Sequence, residues 1–293
     1  GKINLFLRIT GVRPDGYHDL STLFVRLPEP CDELIIRPAA GTGLRLRCAE
    51  PGIDPACNTL TKAYALYAEA TGFAPGLDAE LVKGIPHGAG LGGGSADGAA
   101  VLAALSHLTQ IGLSLEQLEQ IAVGCGADIP FCLRGGTQRA QGIGEDFSPL
   151  SPMPDCPILI IKPHFGISTK DAFARSDSTA FSHAQVQRMC QALDTGSVLS
   201  IADCLQNVFE QLCSADEQKL LHQARQLLIQ NGALGALLSG SGSALFGLFD
   251  NEAAACAARS ALQDHPLLEG VFLCRPLPFG AFEAVRNSLR NPS

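Results

Sequence analysis

Residues Pro86–Ser95 read PHGAGLGGGS, with five glycines among the seven positions from Gly88 to Gly94. A run of this kind lets the backbone come close to a ligand and turns successive N–H groups into one concavity, which suits a phosphate. A helix is expected to open at about Ser95, and its free N–H groups and dipole would strengthen the pull on an anion. The alternative is a flexible hairpin loop. A Walker loop closes on Gly-Lys-Ser or Gly-Lys-Thr, and no lysine follows these glycines. Gly88, Gly90 and Gly93 match the dinucleotide spacing. However, Pro86-His87 interrupts the strand-to-loop junction, and the flanking segments do not repeat as parallel βαβ units. The protein-kinase signatures His-Arg-Asp and Asp-Phe-Gly do not occur, and no serine elbow stands between a strand and a helix.

Two further segments carry chemistry. Gly126-Ala-Asp128-Ile-Pro130-Phe131 sets one acid in an apolar stretch, with Pro130 suited to the first turn of a helix. Asp128 alone reads equally well as a helix N-cap. Ser239–Ser243 (SGSGS) is a second Gly/Ser loop entering a strand, and by itself it reads as a tight turn.

The elements that must position these residues follow from periodicity and punctuation. Lys2–Thr10 alternates apolar and polar residues as a strand does, and β character continues over Leu23–Leu27, Leu34–Arg37 and Leu44–Arg47. Gly11–Leu20 is rich in turn residues and is expected to be a loop. Asn58–Thr71 reads as a helix stopped by Gly72, and Leu77–Val82 as a strand that runs into the glycines. Ala96–Thr109 has helical character, and Ser114 with Gln117 forms a capping box at the head of a helix over Ser114–Val123. Beyond residue 157 the expectation is a buried strand at Ile158–Ile161 and helices over about 184–193, 199–213 and 216–231. A strand at Ala244–Phe249, a helix at 252–263 and a strand at Val271–Arg275 complete the chain. Four prolines within Phe147–Pro157 mark a boundary, so two α+β domains are expected, 1–150 and 151–293.

Composition narrows the function classes. With 293 residues and 46% hydrophobic content, the chain can bury a core without metal or disulfide staples. A net charge of −8 argues against general adhesion to nucleic acid or anionic membrane, so phosphates would have to be met by backbone dipoles and a few placed cations. The longest apolar runs, such as Ala99–Leu105, fall far short of a membrane span. Eleven cysteines, an odd number, include no Cys-x-x-Cys, and no signal peptide opens the chain. Reduced thiols in the cytoplasm are expected. The seven histidines show no zinc spacing. The sequence sets no oligomeric state.

Taken together, these motifs resemble the GHMP kinases (the galactokinase, homoserine, mevalonate and phosphomevalonate kinase superfamily). The middle motif of that superfamily centres on Gly-Leu-Gly followed by serines, and its third is a Gly-rich serine loop near the C-terminus. The resemblance runs in order through Lys2-Ile-Asn4-Leu-Phe-Leu, Gly11-x-Arg13-x-Asp15-Gly16-Tyr17-His18-x-Leu20, Gly88–Asp97 and Gly126–Pro130. It continues through Gly135-Gly-Thr137, Gly142-Ile-Gly144-Glu145 and Ser239–Ser243, nearly the whole chain. The first forty residues are similar to a branch that uses ATP to phosphorylate the 2-hydroxyl of a cytidyl-bearing methylerythritol alcohol in the non-mevalonate isoprenoid pathway. Departures are small: Gly1 stands where Ala is usual, and Ala96 and Gly98 replace the more usual Ser and Ala.

The resemblance implies an α+β fold of two domains, ribosomal-protein-S5-like in the N-terminal part and ferredoxin-like in the C-terminal part. It implies Lys2 and Asp128 as the catalytic pair, with Asn4, Tyr17, His18 and Phe173 at the alcohol substrate. Tyr17 offers a flat face to a pyrimidine and His18 hydrogen bonds to its polar edge. The ATP phosphates are expected over Pro86, Gly88, Ala89, Gly90, Leu91, Gly92, Gly93, Gly94 and Ser95, with Asn58 and Lys83 lining the nucleotide pocket. Mg²⁺ is expected on the phosphates, and Ser95 is the hydroxyl the loop offers it.

Overall fold

Residues 1–14, 16, 18–167, 175 and 184–290 are described by the computed structural model. Strands β1 (Lys2–Val12) and β2 (His18–Arg26) form an antiparallel hairpin, so the loop expected over Gly11–Leu20 is shorter than its turn residues suggest. β2 continues to β6 (Thr137–Gln141) and β7 (Asp146–Pro149), a hairpin with no clear sequence alternation. A second, three-stranded sheet sets β5 (Pro75–Val82) between β3 (Glu33–Thr42) and β4 (Leu44–Cys48).

Four helices complete this half as described. In α1 (Thr59–Thr71), Asn58 caps the N-terminus with a capping box to Thr61, and Gly72 ends the helix in the left-handed region at φ 74°. Helix α2 (Gly93–Thr109) begins two residues before the expected Ser95, inside the glycine run. Helix α3 (Leu115–Val123) carries the Ser114/Gln117 capping box. The short α4 (Ile129–Arg134) follows Asp128 and takes Pro130 into its first turn. Leu60, Tyr64, Leu102 and Phe131 share one core that joins α1, α2 and α4 to Phe24 of β2.

The rest of the chain builds an antiparallel sheet in the order β10 (Gly235–Leu238), β11 (Leu245–Leu248), β8 (Ile158–Pro163), β12 (Leu268–Cys274). Helices α5 (Ala184–Thr195), α6 (Val198–Ala202), α7 (Phe209–Leu212), α8 (Ala215–Gln230), α9 (Glu252–Leu262) and α10 (Ala281–Arg290) accompany it. The single helix expected over 199–213 is instead α6, a two-residue strand β9 (Gln206–Asn207) and α7. β9 pairs in parallel with Phe6 and Leu7 of β1, and the Asn207 side chain is committed to carbonyls elsewhere, which breaks the helix there.

The two halves interlock. β9 extends the first sheet, α10 packs on α2 and α4, and Ile3 and Leu5 share a core with Ile158, Ile160 and Phe246. As a result β1 is buried on both faces from Lys2 to Leu7. Its polar residues do not face water, as strand alternation would have them do, and buried polar groups must find partners.

Candidate active site

Lys2 lies on β1 with 4% of its surface exposed. Its ammonium stands 3.3 Å from Oδ2 of Asp128 and donates to Oδ1 of Asn4 at 2.8 Å. Asn4 Nδ2 donates to Thr22 Oγ1 at 2.7 Å, and that hydroxyl donates to the Phe6 carbonyl at 2.8 Å. The Phe24 ring centroid lies 5.4 Å from Lys2 Nζ and adds a cation–π contact. These contacts compensate for removing the charge from water.

Asp128 precedes α4 with φ −84° and ψ −10°, and its side chain makes no capping hydrogen bond. Its carboxylate turns to Lys2 instead, which disposes of the capping alternative. Helix α4 is held by Phe131, whose ring stacks on Phe24 at 4.7 Å and 24°, so one aromatic pair fixes both strand and helix under the Lys2–Asp128 contact. The Asp128 side chain remains 32% exposed, within reach of a ligand.

The two glycine loops are joined. Ser243 N donates to Gly88 O at 3.2 Å, Ala244 N to Ala89 O at 3.0 Å and Ser239 Oγ to Gly90 O at 3.0 Å. Gly90 has φ +74°, and a Cβ there would fall 2.0 Å from the Ser239 carbonyl, so only glycine permits the contact. Asn207 Nδ2 donates to Leu238 O at 2.8 Å and Gly240 O at 2.7 Å, tying the second loop to β9 and so to the sheet that carries Lys2.

Two cavities meet across these loops. The larger, about 650 Å³, is lined by Lys2, Asn4, His18, Lys62 and Asp128 among others. The smaller, about 410 Å³, is walled by Asn58, Lys83, Pro86 and the whole run Gly88, Ala89, Gly90, Leu91, Gly92, Gly93 and Gly94. Gly90, Gly92 and Ser241 belong to both. Ser95, in the first turn of α2, is in the wall of neither. Tyr17 and Phe173 lie outside the described residues.

Several residues here carried no readable signal. Lys83 is clasped by Asp32 and by Asp97, whose Oδ2 is 2.8 Å away. Asp32 Oδ1 also accepts the N–H groups of Gly84 and Ile85, each at 2.8 Å. The cluster thereby links the entry of the first glycine loop to the helix that leaves it. Burial pushes the Asp97 carboxyl up to about 6, against the pull of Lys83. Burial would lower the Lys83 ammonium, but its two carboxylate partners outweigh that and raise it. Asp97 closes the matched stretch Gly88–Asp97 and Ser241 lies inside the Ser239–Ser243 loop, though neither stood out by itself; Asp32 and Asn207 gave no signal.

Comparison with known proteins follows the same lines. The model "GHMP kinases N terminal domain" matches residues 58–136, and "GHMP kinases C terminal" matches 189–266. The 4-diphosphocytidyl-2-C-methyl-D-erythritol kinase of Nitratidesulfovibrio vulgaris (strain DP4) is 41% identical over 91% of this chain and 94% of its own length. The kinase of the same name from Carboxydothermus hydrogenoformans is 41% identical over 85% and 86%. A crystal structure of 4-(cytidine 5'-diphospho)-2C-methyl-D-erythritol kinase superposes with a TM-score of 0.75 at 31% identity, covering 94% of this chain and 96% of that one. A homoserine kinase from Cytophaga hutchinsonii shares the fold, with a TM-score of 0.74 at 24% identity over 88% and 90%. With a buried Lys2 paired to a partly exposed Asp128 in the wall of one of two cavities that share a glycine loop, the chain belongs to the GHMP kinases, within the 4-diphosphocytidyl-2-C-methyl-D-erythritol kinase family.

Proposed function

We propose that this protein transfers the γ-phosphoryl group of ATP to the 2-hydroxyl of 4-diphosphocytidyl-2-C-methyl-D-erythritol, in the cytoplasm. The observation that carries the reading is the 3.3 Å contact between Lys2 and Asp128 in the wall of the larger cavity, beside the glycines it shares with the smaller one. ATP occupies the smaller cavity between Asn58, Lys83 and the 86–94 loop, and the alcohol occupies the larger one. The catalytic groups and the first loop lie within 1–150, and the 239–243 loop reaches them from 151–293.

The attacking hydroxyl oxygen forms a bond to the γ-phosphorus, the bond to the β–γ bridging oxygen breaks, and ADP leaves. Asp128 orients the hydroxyl and accepts its proton. An aspartate is a weak base for an alcohol, but the proton is lost late in a loose transition state, so orientation does most of the work. Lys2, fixed by Asn4, presents positive charge where the transferred group gains negative charge. Among the described residues no group of three His, Cys, Asp or Glu could hold a metal ion. A Mg²⁺ carried on the triphosphate would need few protein ligands; Ser95, the hydroxyl expected to reach it, stands outside the wall of both cavities. Such an ion would neutralise the phosphate charge.

Tyr17 and Phe173 are proposed to stack on the cytosine, with His18, in the cavity wall, reading its edge. Stacking is worth roughly 1–3 kcal/mol per base. The net charge of −8 accords with a small-molecule enzyme rather than a nucleic-acid binder; no described helix is long and apolar enough to cross a membrane, and all eleven cysteines are free thiols. A coupled ADP-release assay over a panel of alcohols tests the reading. Turnover of the cytidyl alcohol, competitive inhibition by cytidine nucleotides over uridine nucleotides, and weaker cytidine inhibition in Tyr17→Ala are expected. Efficient turnover of homoserine or mevalonate with no activity on the cytidyl alcohol would reject it.

A further inference from the structure

The larger cavity contains a cation that neither the catalytic pair nor the nucleotide site uses. Lys62 stands in the first turn of α1, exposed, in the wall of the cavity. Four residues on, Leu66 shares its face of the helix and lies over Gly124, where an added Cβ would meet Leu66 Cδ1 at 3.1 Å. One turn earlier on that face, Lys62 therefore stands beside the turn 125–128 that delivers Asp128. Cys125 registers its charge: burial raises the thiol, and the Lys62 ammonium works against that rise.

The other charges around the cavity are committed. Lys2 is buried between Asp128 and Asn4, and Asp128 is spent on Lys2. His18 already has an interaction of its own. Among the described residues no hydrogen bond or ion pair engages the Lys62 ammonium. In a protein with eight excess negative charges, a lysine in the wall of a cavity of this size, with no partner among the described residues, marks where an anion is received. The γ-phosphoryl group enters from the glycine side, where the Lys2 stem packs against Gly92 and its ammonium lies beside Gly240. Lys62 lines the larger cavity and not the nucleotide cavity, and it does so together with the 124–128 turn.

Resting on the function proposed above, we propose that Lys62 binds the diphosphate of the alcohol substrate, a nucleoside diphosphate ester. Lys62 holds those phosphates while Asp128 meets the hydroxyl a few bonds away. It acts as a flexible point charge, so either basic side chain can serve.

The test compares inhibition by CDP and by cytidine, which differ only in the phosphates, in the wild type, Lys62→Ala and Lys62→Arg. Losing one charge-assisted contact should weaken CDP inhibition and raise KM for the cytidyl alcohol by about tenfold in Lys62→Ala. Cytidine inhibition and KM for ATP should move by less than about twofold, and Lys62→Arg should recover most of the CDP inhibition. Equal weakening of CDP and cytidine would show a merely structural role and overturn the proposal. So would unchanged CDP inhibition in Lys62→Ala, or a loss confined to kcat and KM for ATP, which would put Lys62 at the transferred phosphoryl group. If CDP fails to inhibit the wild type, the cytidyl reading itself falls and this assignment with it.

Discussion

Gly92 lies directly against the stem of Lys2. A Cβ built on Gly92 would stand 2.9 Å from Lys2 Cγ and 3.3 Å from Lys2 Cε. The phosphate loop and the catalytic lysine thus share one surface, and a change in either moves the other. Gly92 also caps α2 with φ +72°, a conformation that disfavours any side chain.

Gly92→Val should therefore damage more than nucleotide binding. KM for ATP should rise, and kcat should fall by at least about tenfold because Lys2 is pushed off Asp128. Steady-state kinetics with each substrate varied in turn, on protein shown to be folded by circular dichroism, check this. A rise in KM for ATP with wild-type kcat would mean the loop moves without the lysine.

Asp128→Asn keeps shape and removes the charge, so kcat should drop by about 10²-fold or more while KM for the alcohol changes little. Lys2→Ala should behave similarly and also destabilise the fold, because Asn4 and Asp128 each lose a partner. The double variant should lose less than the sum of the two single losses, since the residues act as a unit. Additive losses would separate their roles.

The Asp97 carboxyl, pushed up to about 6, makes a signed prediction for pH. The folded protein holds this proton more tightly than the unfolded chain. The stabilisation from it is complete below about pH 4 and is lost as pH rises through about 6. The melting temperature of the wild type minus that of Asp97→Asn should accordingly be larger at pH 4.5 than at pH 7. A difference that grows with pH would contradict the burial argument and make Lys83 the dominant influence on Asp97.

Asn207→Ala removes the amide that holds the Leu238 and Gly240 carbonyls and accepts the Phe209 N–H at 3.0 Å. Urea unfolding should show a loss of about 2–4 kcal/mol, with three buried backbone groups left unpaired. KM should rise for both substrates, because Ser241 of the released loop lines both cavities. Wild-type stability in this variant would show that other bonds suffice to hold the loop.

Local features were legible in the sequence because their causes are local. Asn58 and Gly72 bound α1, Ser114 and Gln117 form their capping box, and the glycines from 88 to 94 form a phosphate-type loop, all through interactions within a few residues. The motif order through Lys2, Asp128 and Ser239–Ser243 was sufficient to place the chain in its superfamily. Residue spacing by itself could not show that Asp128 leaves its capping position for Lys2, a pairing that only the resemblance implied, because that contact spans 126 residues and depends on Phe24 stacking on Phe131. Nor could it show that β1 is buried on both faces, since alternation describes a strand with one wet face, and here the second half of the chain covers the other. The break at Asn207, the clasp of Asp32 and Asp97 on Lys83, and the union of the two glycine loops were decided the same way. Each is a buried polar group whose partner lies far along the chain, and only packing determines which partner it meets.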